Sequence, residues 1–182
     1  ARIMIDSEGS ALATFFTAMG YTLAVMTYRL PADGHHEGAD APLADAQRAV
    51  RVLRDRATRG LNGKRIVMMG FSAGGYVAAS LGTRFSEKLY PPQDTIDNLP
   101  ARPDALVLVY PLITMRDGQT HADARKRLLG EWPDSKTIEA YSLETRVSRE
   151  TPPVLLIHAV DDESVPVTHS MAFFSALREQ KV

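Results

Sequence analysis

The sequence predicts an α/β fold, a mostly parallel sheet flanked by helices, on three observations. Segments with apolar residues at helical spacing alternate with short apolar runs of strand length along the 182 residues, the order expected when helices cover a parallel sheet. The short runs are near-continuously apolar, as strands buried on both faces require. Gly70-Phe71-Ser72-Ala73-Gly74 stands between one such run and a helix of small residues, where a strand must turn sharply into a helix.

The elements follow in order. From Ser10 to Met19, Ala11, Leu12, Phe15, Phe16 and Met19 recur at helical spacing, and Gly20 suits the C-terminal stop. Tyr21 to Tyr28 reads as a buried strand. Pro42 to Ala57 is helical, with Ala46, Ala49, Val50, Leu53 and Ala57 on one face and Arg48, Arg51 and Arg54 off it. Ile66 to Met69 is a second strand, and Ala73 to Leu81 a small-residue helix able to approach a sheet closely. Ala105 to Tyr110 and Val154 to Ile157 are further strands. Ser170 to Arg178 is a last amphipathic helix, with Met171, Phe174 and Leu177 expected inward. Arg84 to Pro103, rich in Pro and polar residues, reads as a long surface loop. Residues 111–152 contain two short helices, around Ala122–Leu129 and Ser135–Tyr141. A connection of that length inside one compact domain is usually functional, and we expect it to cap the site and form part of its wall. There is no internal repeat.

Bulk composition narrows the chemistry. Lys and Arg total 21 against 22 Asp and Glu, a formal charge of −1, which argues against a nucleic-acid or polybasic membrane role. No apolar run is long enough for a bilayer span, and the expected behaviour is that of a soluble protein. There is no cysteine, so disulfides and thiolate chemistry are excluded. The first residue is Ala1 and no charged-then-apolar leader follows it.

In the G-x-S-x-G segment the strand-to-helix turn would hold the Ser72 hydroxyl up at the carboxyl end of the strand. Gly70 and Gly74 are expected to leave room for neighbouring backbone. The Ala73 N–H would point where a tetrahedral oxyanion forms, at the positive end of the helix dipole. The bland alternative is that Gly70, Gly74 and Gly75 only make a tight turn and Ser72 only caps the helix. A serine nucleophile needs a carboxylate and a histidine, in the chain order Ser, Asp or Glu, His. His158-Ala159-Val160-Asp161-Asp162-Glu163-Ser164-Val165-Pro166 follows the last strand and gathers three carboxylates in one turn. Asp161 and Asp162 are both candidates, and both suit an ordinary turn as well. Asp117 is a more distant third. Of the five histidines, His35, His36, His121, His158 and His169, only His169 comes after that turn. We expect it on the surface of the final helix and His158 in a structural role. His35 and His36 lack a third ligand at a metal-binding spacing.

The ordered blocks Tyr28-Arg29-Leu30-Pro31, Pro42-Leu43-Ala44-Asp45-Ala46-Gln47-Arg48-Ala49, Gly70-Phe71-Ser72-Ala73-Gly74-Gly75, Tyr110-Pro111, Leu128-Leu129-Gly130, Thr151-Pro152-Pro153 and Asp162-Glu163-Ser164-Val165-Pro166 resemble the acetyl-xylan-esterase-like, or acetyl-esterase and lipase-like, α/β-hydrolases. The resemblance covers nearly the whole chain. It implies an α/β-hydrolase domain over residues 1–182 that hydrolyses short acyl esters, such as acetyl groups on xylan or other sugars, with no cofactor and no metal. It matches Ser72 to the nucleophile and Asp162 to the acid, three residues before the Val of Val-Pro. It also implies that parts of the family's domain are not among these residues. These are the glycine-rich oxyanion loop and first strands, one of them expected between the 21–28 and 66–69 strands, and the last strand with its histidine loop. The base and second oxyanion donor are therefore expected outside residues 1–182, and this span alone is expected to show little turnover. Two other readings share the serine turn: a peptidase of the prolyl-oligopeptidase type, which usually carries a large additional domain, and a non-catalytic hydrolase-like binding module.

Overall fold

A computed structural model describes residues 5–60, 65–118, 120 and 122–182, with the side chains of residues 5–7 outside that description; His121 lies outside the described residues. The sheet has three parallel strands, β1 (Val67–Phe71), β2 (Ala105–Val109) and β3 (Val154–Ile157), in the order β1-β2-β3. Val67 stands opposite Ala105 and Phe71 opposite Val109, while Leu106 stands opposite Val154 and Val109 opposite Ile157. Among the described residues six α-helices accompany it: α1 (Ala11–Ala18), α2 (Ala41–Thr58), α3 (Ser72–Arg84), α4 (Ala122–Leu129), α5 (Ser135–Tyr141) and α6 (Thr168–Gln180). The parallel sheet and the two short helices in residues 111–152 agree with the sequence reading.

The helix ends explain their own positions. Gly20 takes φ +83°, and its N–H donates to the Thr17 carbonyl while that of Tyr21 donates to Phe16, both at 3.0 Å. This is a Schellman closure, which asks for a residue without a Cβ penalty at φ > 0. Asp134 caps α5 by accepting from the Thr137 N–H at 2.7 Å. The C-terminal end of α3 is closed from outside: the buried Gln47 amide donates to the carbonyls of Arg84, Phe85 and Glu87.

Packing departs from the sequence reading in three places. Tyr21–Tyr28 is not a strand, and it is not buried: Tyr21 and Val25 are 60% and 49% exposed. An apolar run becomes a strand only where another strand supplies backbone partners, and among the described residues none flanks this one. Burial of the sheet is also one-sided at its edges. Leu106 and Leu108 are sealed on one face, against Ala78, Ala79, Phe173 and Leu177. On the other face Val67, Leu155 and Ile157 are about half exposed. Of the three strands only the central β2 is buried or half-buried along its whole length. In α6 the inward residues are His169, Ser170, Phe173 and Leu177, while Met171 and Phe174 face solvent. Leu177 is inward as expected, while Phe173 takes the place expected of Phe174 against Leu106 and Leu108.

Helix α2 buries Leu43, Ala46, Gln47 and Val50, and leaves Ala49, Leu53 and Ala57 half-buried. Arg48, Arg51 and Arg54, three of its four arginines, do more than face solvent. Arg48 pairs with Asp94 and Asp97, Arg51 donates to the Leu99 carbonyl, and Arg54 donates to the carbonyls of Pro100 and Arg102. One row of arginines three residues apart thus fastens the long 84–103 loop onto the helix. Residues 111–152 are likewise woven into the core. Leu112, Ile113, Met115 and Leu143 are buried in the same cluster as Leu106 and Leu108.

Candidate active site

The carboxyl ends of the three strands lie side by side, so the residues that follow each strand share one edge. Neighbouring strands sit about 4.8 Å apart, which puts the ends of β1 and β3 roughly 10 Å from each other. Ser72 follows β1, Tyr110 follows β2, and the turn holding Asp161 and Asp162 follows β3.

Ser72 sits at the start of α3 with φ +48°. A non-glycine residue there carries strain of the order of 1 kcal/mol and persists only where its surroundings enforce it. The surroundings do so by crowding. A Cβ on Gly70 would stand 2.2 Å from the Gly74 carbonyl oxygen, and one on Gly75 would stand 2.8 Å from the Pro111 Cβ. The Leu112 N–H donates to the Ser72 carbonyl at 3.2 Å, so the chain leaving β2 is clamped across the turn. Gly74 itself faces open space. The close approaches are therefore at Gly70 and Gly75, and the expectation that Gly74 leaves room for neighbouring backbone is corrected: Gly74 supplies the carbonyl that Gly70 must admit. Among the described residues Ser72 Oγ makes no hydrogen bond, unlike a capping serine. Ala73 lies in the first turn of α3, where backbone N–H groups have no intrahelical acceptor.

Tyr110 is a second strained position, with φ +37°. Its N–H donates to the Ile157 carbonyl at 2.7 Å, and its ring lies 5.9 Å from that of Phe71. Burial raises its phenol above the ordinary range, and the charges of Glu8 and Asp162 raise it further. The sequence offered Tyr110-Pro111 only as part of a resemblance; the tight approach of Pro111 to Gly75 is visible only in three dimensions.

The two candidate aspartates part company. Asp162 Oδ1 accepts from the N–H groups of Ser164 and Val165, both at 2.9 Å, and Oδ2 stands 3.6 Å from His158 Nε2. The Val165 N–H, then that of Ser164 and the neighbouring His158, hold its carboxyl below the usual carboxylate range against a smaller effect of desolvation. Asp161 is exposed. Asp117 is exposed too and paired with Arg125.

Neither described histidine near these loops is placed as a base. The His158 side chain is only 3% exposed, with Nε2 2.7 Å from the Val165 carbonyl oxygen and Nδ1 2.8 Å from Ser170 Oγ. Nε2 donates to that carbonyl, which leaves Nδ1 paired with the serine hydroxyl. His169 is not on the surface as expected; it is fully buried. Its Nδ1 accepts from the N–H groups of Ile113 at 2.9 Å and Thr114 at 3.2 Å. An Nδ1 used in this way cannot donate to a carboxylate, which a triad histidine must do. The ring instead ties α6 to the chain leaving β2. His35 stands 3.9 Å from Asp33, and among the described residues no three His, Asp or Glu side chains gather around a common point. No described helix is long and apolar enough to cross a membrane.

Comparison with known proteins places this arrangement. The chain is 37% identical over 182 residues to endo-1,4-beta-xylanase B of Butyrivibrio fibrisolvens, covering 96% of this chain and 27% of that protein. It is 31% identical over 176 residues to an acetylxylan esterase of Xylanibacter ruminicola, covering 94% of this chain and 33% of that protein. The chain thus spans about a quarter to a third of the curated relatives it matches. Among solved structures, the acetyl ester-xyloside bifunctional hydrolase of Caldicellulosiruptor lactoaceticus matches with a TM-score of 0.84 and 36% identity, over 95% of this chain and 62% of that one. A lipase/esterase of Lactobacillus plantarum shares the fold at a TM-score of 0.76 and 23% identity. The parallel sheet with its serine turn is the α/β-hydrolase fold, and the BD-FAE family model matches residues 5–177: the chain belongs to the BD-FAE family of α/β-hydrolases.

Proposed function

We propose that this chain carries the nucleophile and acid of a serine carboxylic-ester hydrolase acting on short acyl esters, with acetylated xylan or related acetylated saccharides as substrate class. The observation that carries the reading is Ser72 at φ +48° on a crowded strand-to-helix turn, its hydroxyl free of any hydrogen bond among the described residues. The relatives named for acetylxylan esterase and acetyl ester-xyloside hydrolase activity support the substrate class.

In this reading Ser72 Oγ attacks the ester carbonyl carbon, its proton passing to a base, and the carbonyl π electrons move onto oxygen. The Ala73 N–H donates to that oxyanion at the N-terminal end of α3. Collapse expels the sugar hydroxyl, which takes the proton back, and leaves an acetyl-Ser72. Water, giving a proton to the same base, then attacks the acetyl carbon; the bond to Ser72 Oγ breaks, Oγ takes that proton back, and acetic acid leaves and ionises to acetate. Asp162 orients the base and stabilises its charged form. The rings of His158 and His169 are committed elsewhere, so the reading takes the base and the second oxyanion donor from outside these 182 residues. None of these steps draws on a cofactor or metal.

The test is Ser72→Ala in the native protein, with a small chromogenic acetyl ester as substrate. Loss of a triad nucleophile costs roughly three or more powers of ten in turnover, and the thermal midpoint should not fall, since the strained side chain only becomes smaller. A variant keeping more than about a tenth of the wild-type rate sinks the assignment.

A further inference from the structure

Trp132 is the only tryptophan of the chain, and it is 91% exposed. It lies in the short link between α4 and α5. That link is pinned at both ends. Gly130, at φ +87°, closes α4 through its N–H to the Lys126 carbonyl at 2.9 Å, and Glu131 pairs with Lys126 at 2.8 Å. On the far side Asp134 caps α5 at 2.7 Å, and Pro133 stiffens the chain before it. The indole is therefore presented from a rigid turn, with little conformational entropy left to lose on binding. Among the described residues no ring stacks on it and no cation lies over it, although four arginines lie over other aromatic rings.

The surroundings say what such a ring fits. A stable protein partner needs a contiguous patch of roughly 800 Å² on each side. In the chain Trp132 is flanked by exposed Gly130, Glu131 and Asp134, so no apolar side chain next to it in that link, apart from half-buried Pro133, extends the indole. A flat, electron-rich face rimmed by carboxylates suits a pyranose, whose axial C–H groups carry partial positive charge against the ring and whose hydroxyls donate to carboxylates at the edge. Position agrees. The Tyr141 carbonyl, at the end of α5, accepts from the Tyr76 hydroxyl at 2.9 Å, and Tyr76 is one helical turn beyond Ser72. Trp132 is joined to Tyr141 by the seven residues of α5 and a short turn, which together span at most roughly 20 Å.

We propose that Trp132 is a stacking platform for a sugar ring of the saccharide backbone, a few units away from the ester being cleaved. The proposal rests on the saccharide-ester reading above and adds a second contact to it. It makes Trp132 a determinant of affinity for the polymer, with no part in the bond-making steps.

The part of the tryptophan fluorescence that Trp132→Phe removes reports on this position directly. Titration with deacetylated xylo-oligosaccharide, which binds without turnover, should quench and blue-shift the emission to saturation. Trp132→Ala should raise KM for acetylated xylan about tenfold, leaving kcat on the polymer and all constants for a small acetyl ester unchanged, and Trp132→Tyr should restore part of the loss. A flat titration, or a blue shift that follows protein concentration without sugar, overturns the platform. So does an equal effect of Trp132→Ala on polymer and small ester. A saturating titration in a protein that fails to hydrolyse the small ester upholds the platform and counts against the esterase reading alone.

Discussion

Asp162 uses one carboxylate oxygen to build its turn and presents the other towards His158. An asparagine keeps the turn-building oxygen and loses only the charge, so Asp162→Asn separates the two duties. We expect Asp162→Asn to lower turnover on an acetyl ester by several powers of ten, because an amide holds the imidazole of the base in the wrong tautomer. Asp161→Asn, on an exposed carboxylate, should stay within a few fold, and paired kinetics showing the reverse ranking would reassign the acid. The pH dependence follows from sign. The folded protein holds the Asp162 carboxyl below its usual range, so its contribution is complete above the unfolded value of about 4 and fades as pH falls through the lower folded one. That part of the acid-side loss of stability should vanish in Asp162→Asn. The sharp strand-to-helix turn at Ser72 was legible in a short local motif, whereas the preference for Asp162 over Asp161 came only from the family resemblance. His169 was not legible. Its partners, the N–H groups of Ile113 and Thr114, are 56 and 55 residues away, and nothing around position 169 announces burial.

At the scale of elements, the serine turn makes a sharp contrast between glycines. Gly74 is inside α3, has an ordinary φ, and its added methyl would meet nothing within 4 Å. Gly74→Ala should raise stability by about 0.5–1 kcal/mol through helix propensity alone. Gly70→Ala drives a methyl to 2.2 Å from the Gly74 carbonyl oxygen, a backbone clash, and should cost about 3 kcal/mol or prevent folding. Urea melts of both variants check the pair, and equal effects would mean the turn is not as crowded as described. Helices α4 and α5 were readable because their caps and apolar spacing are local. In α6 both tracks are apolar: Met171, Phe173 and Phe174 all qualify, and spacing cannot choose among them. The face that meets Leu106 and Leu108 makes the choice. Tyr21–Tyr28 failed as a strand for the complementary reason, since composition gives a run its propensity and only tertiary pairing gives it a ladder.

Across the whole molecule the sheet has one sealed face and one that stays partly open. Alternate residues of β3 report the difference. Leu156 packs against the main core, while Leu155 is 55% exposed. Leu156→Ser should cost roughly 2 kcal/mol or more and Leu155→Ser roughly 0.5 kcal/mol or less, measured by chemical denaturation; comparable losses would show the open face to be covered. The sealed side is divided in its turn. Tyr76, Ala78 and Ala79 belong to the cluster with Leu106, Leu108 and Phe173, whereas Val77 and Leu81, between and beyond them on the same helix, belong to the cluster with Leu43, Ala46 and Val50. Helix α3 is therefore common property of both cores, and neither can loosen without disturbing the helix that the other also needs. Wherever the midpoint of unfolding lies, the two cores should melt as one: a single calorimetric transition with equal calorimetric and van't Hoff enthalpies, with two resolved peaks as the contrary result. The residue proposed to attack the ester stands at the first position of that shared helix, so its geometry should persist for as long as any of the core does and disappear in the same step.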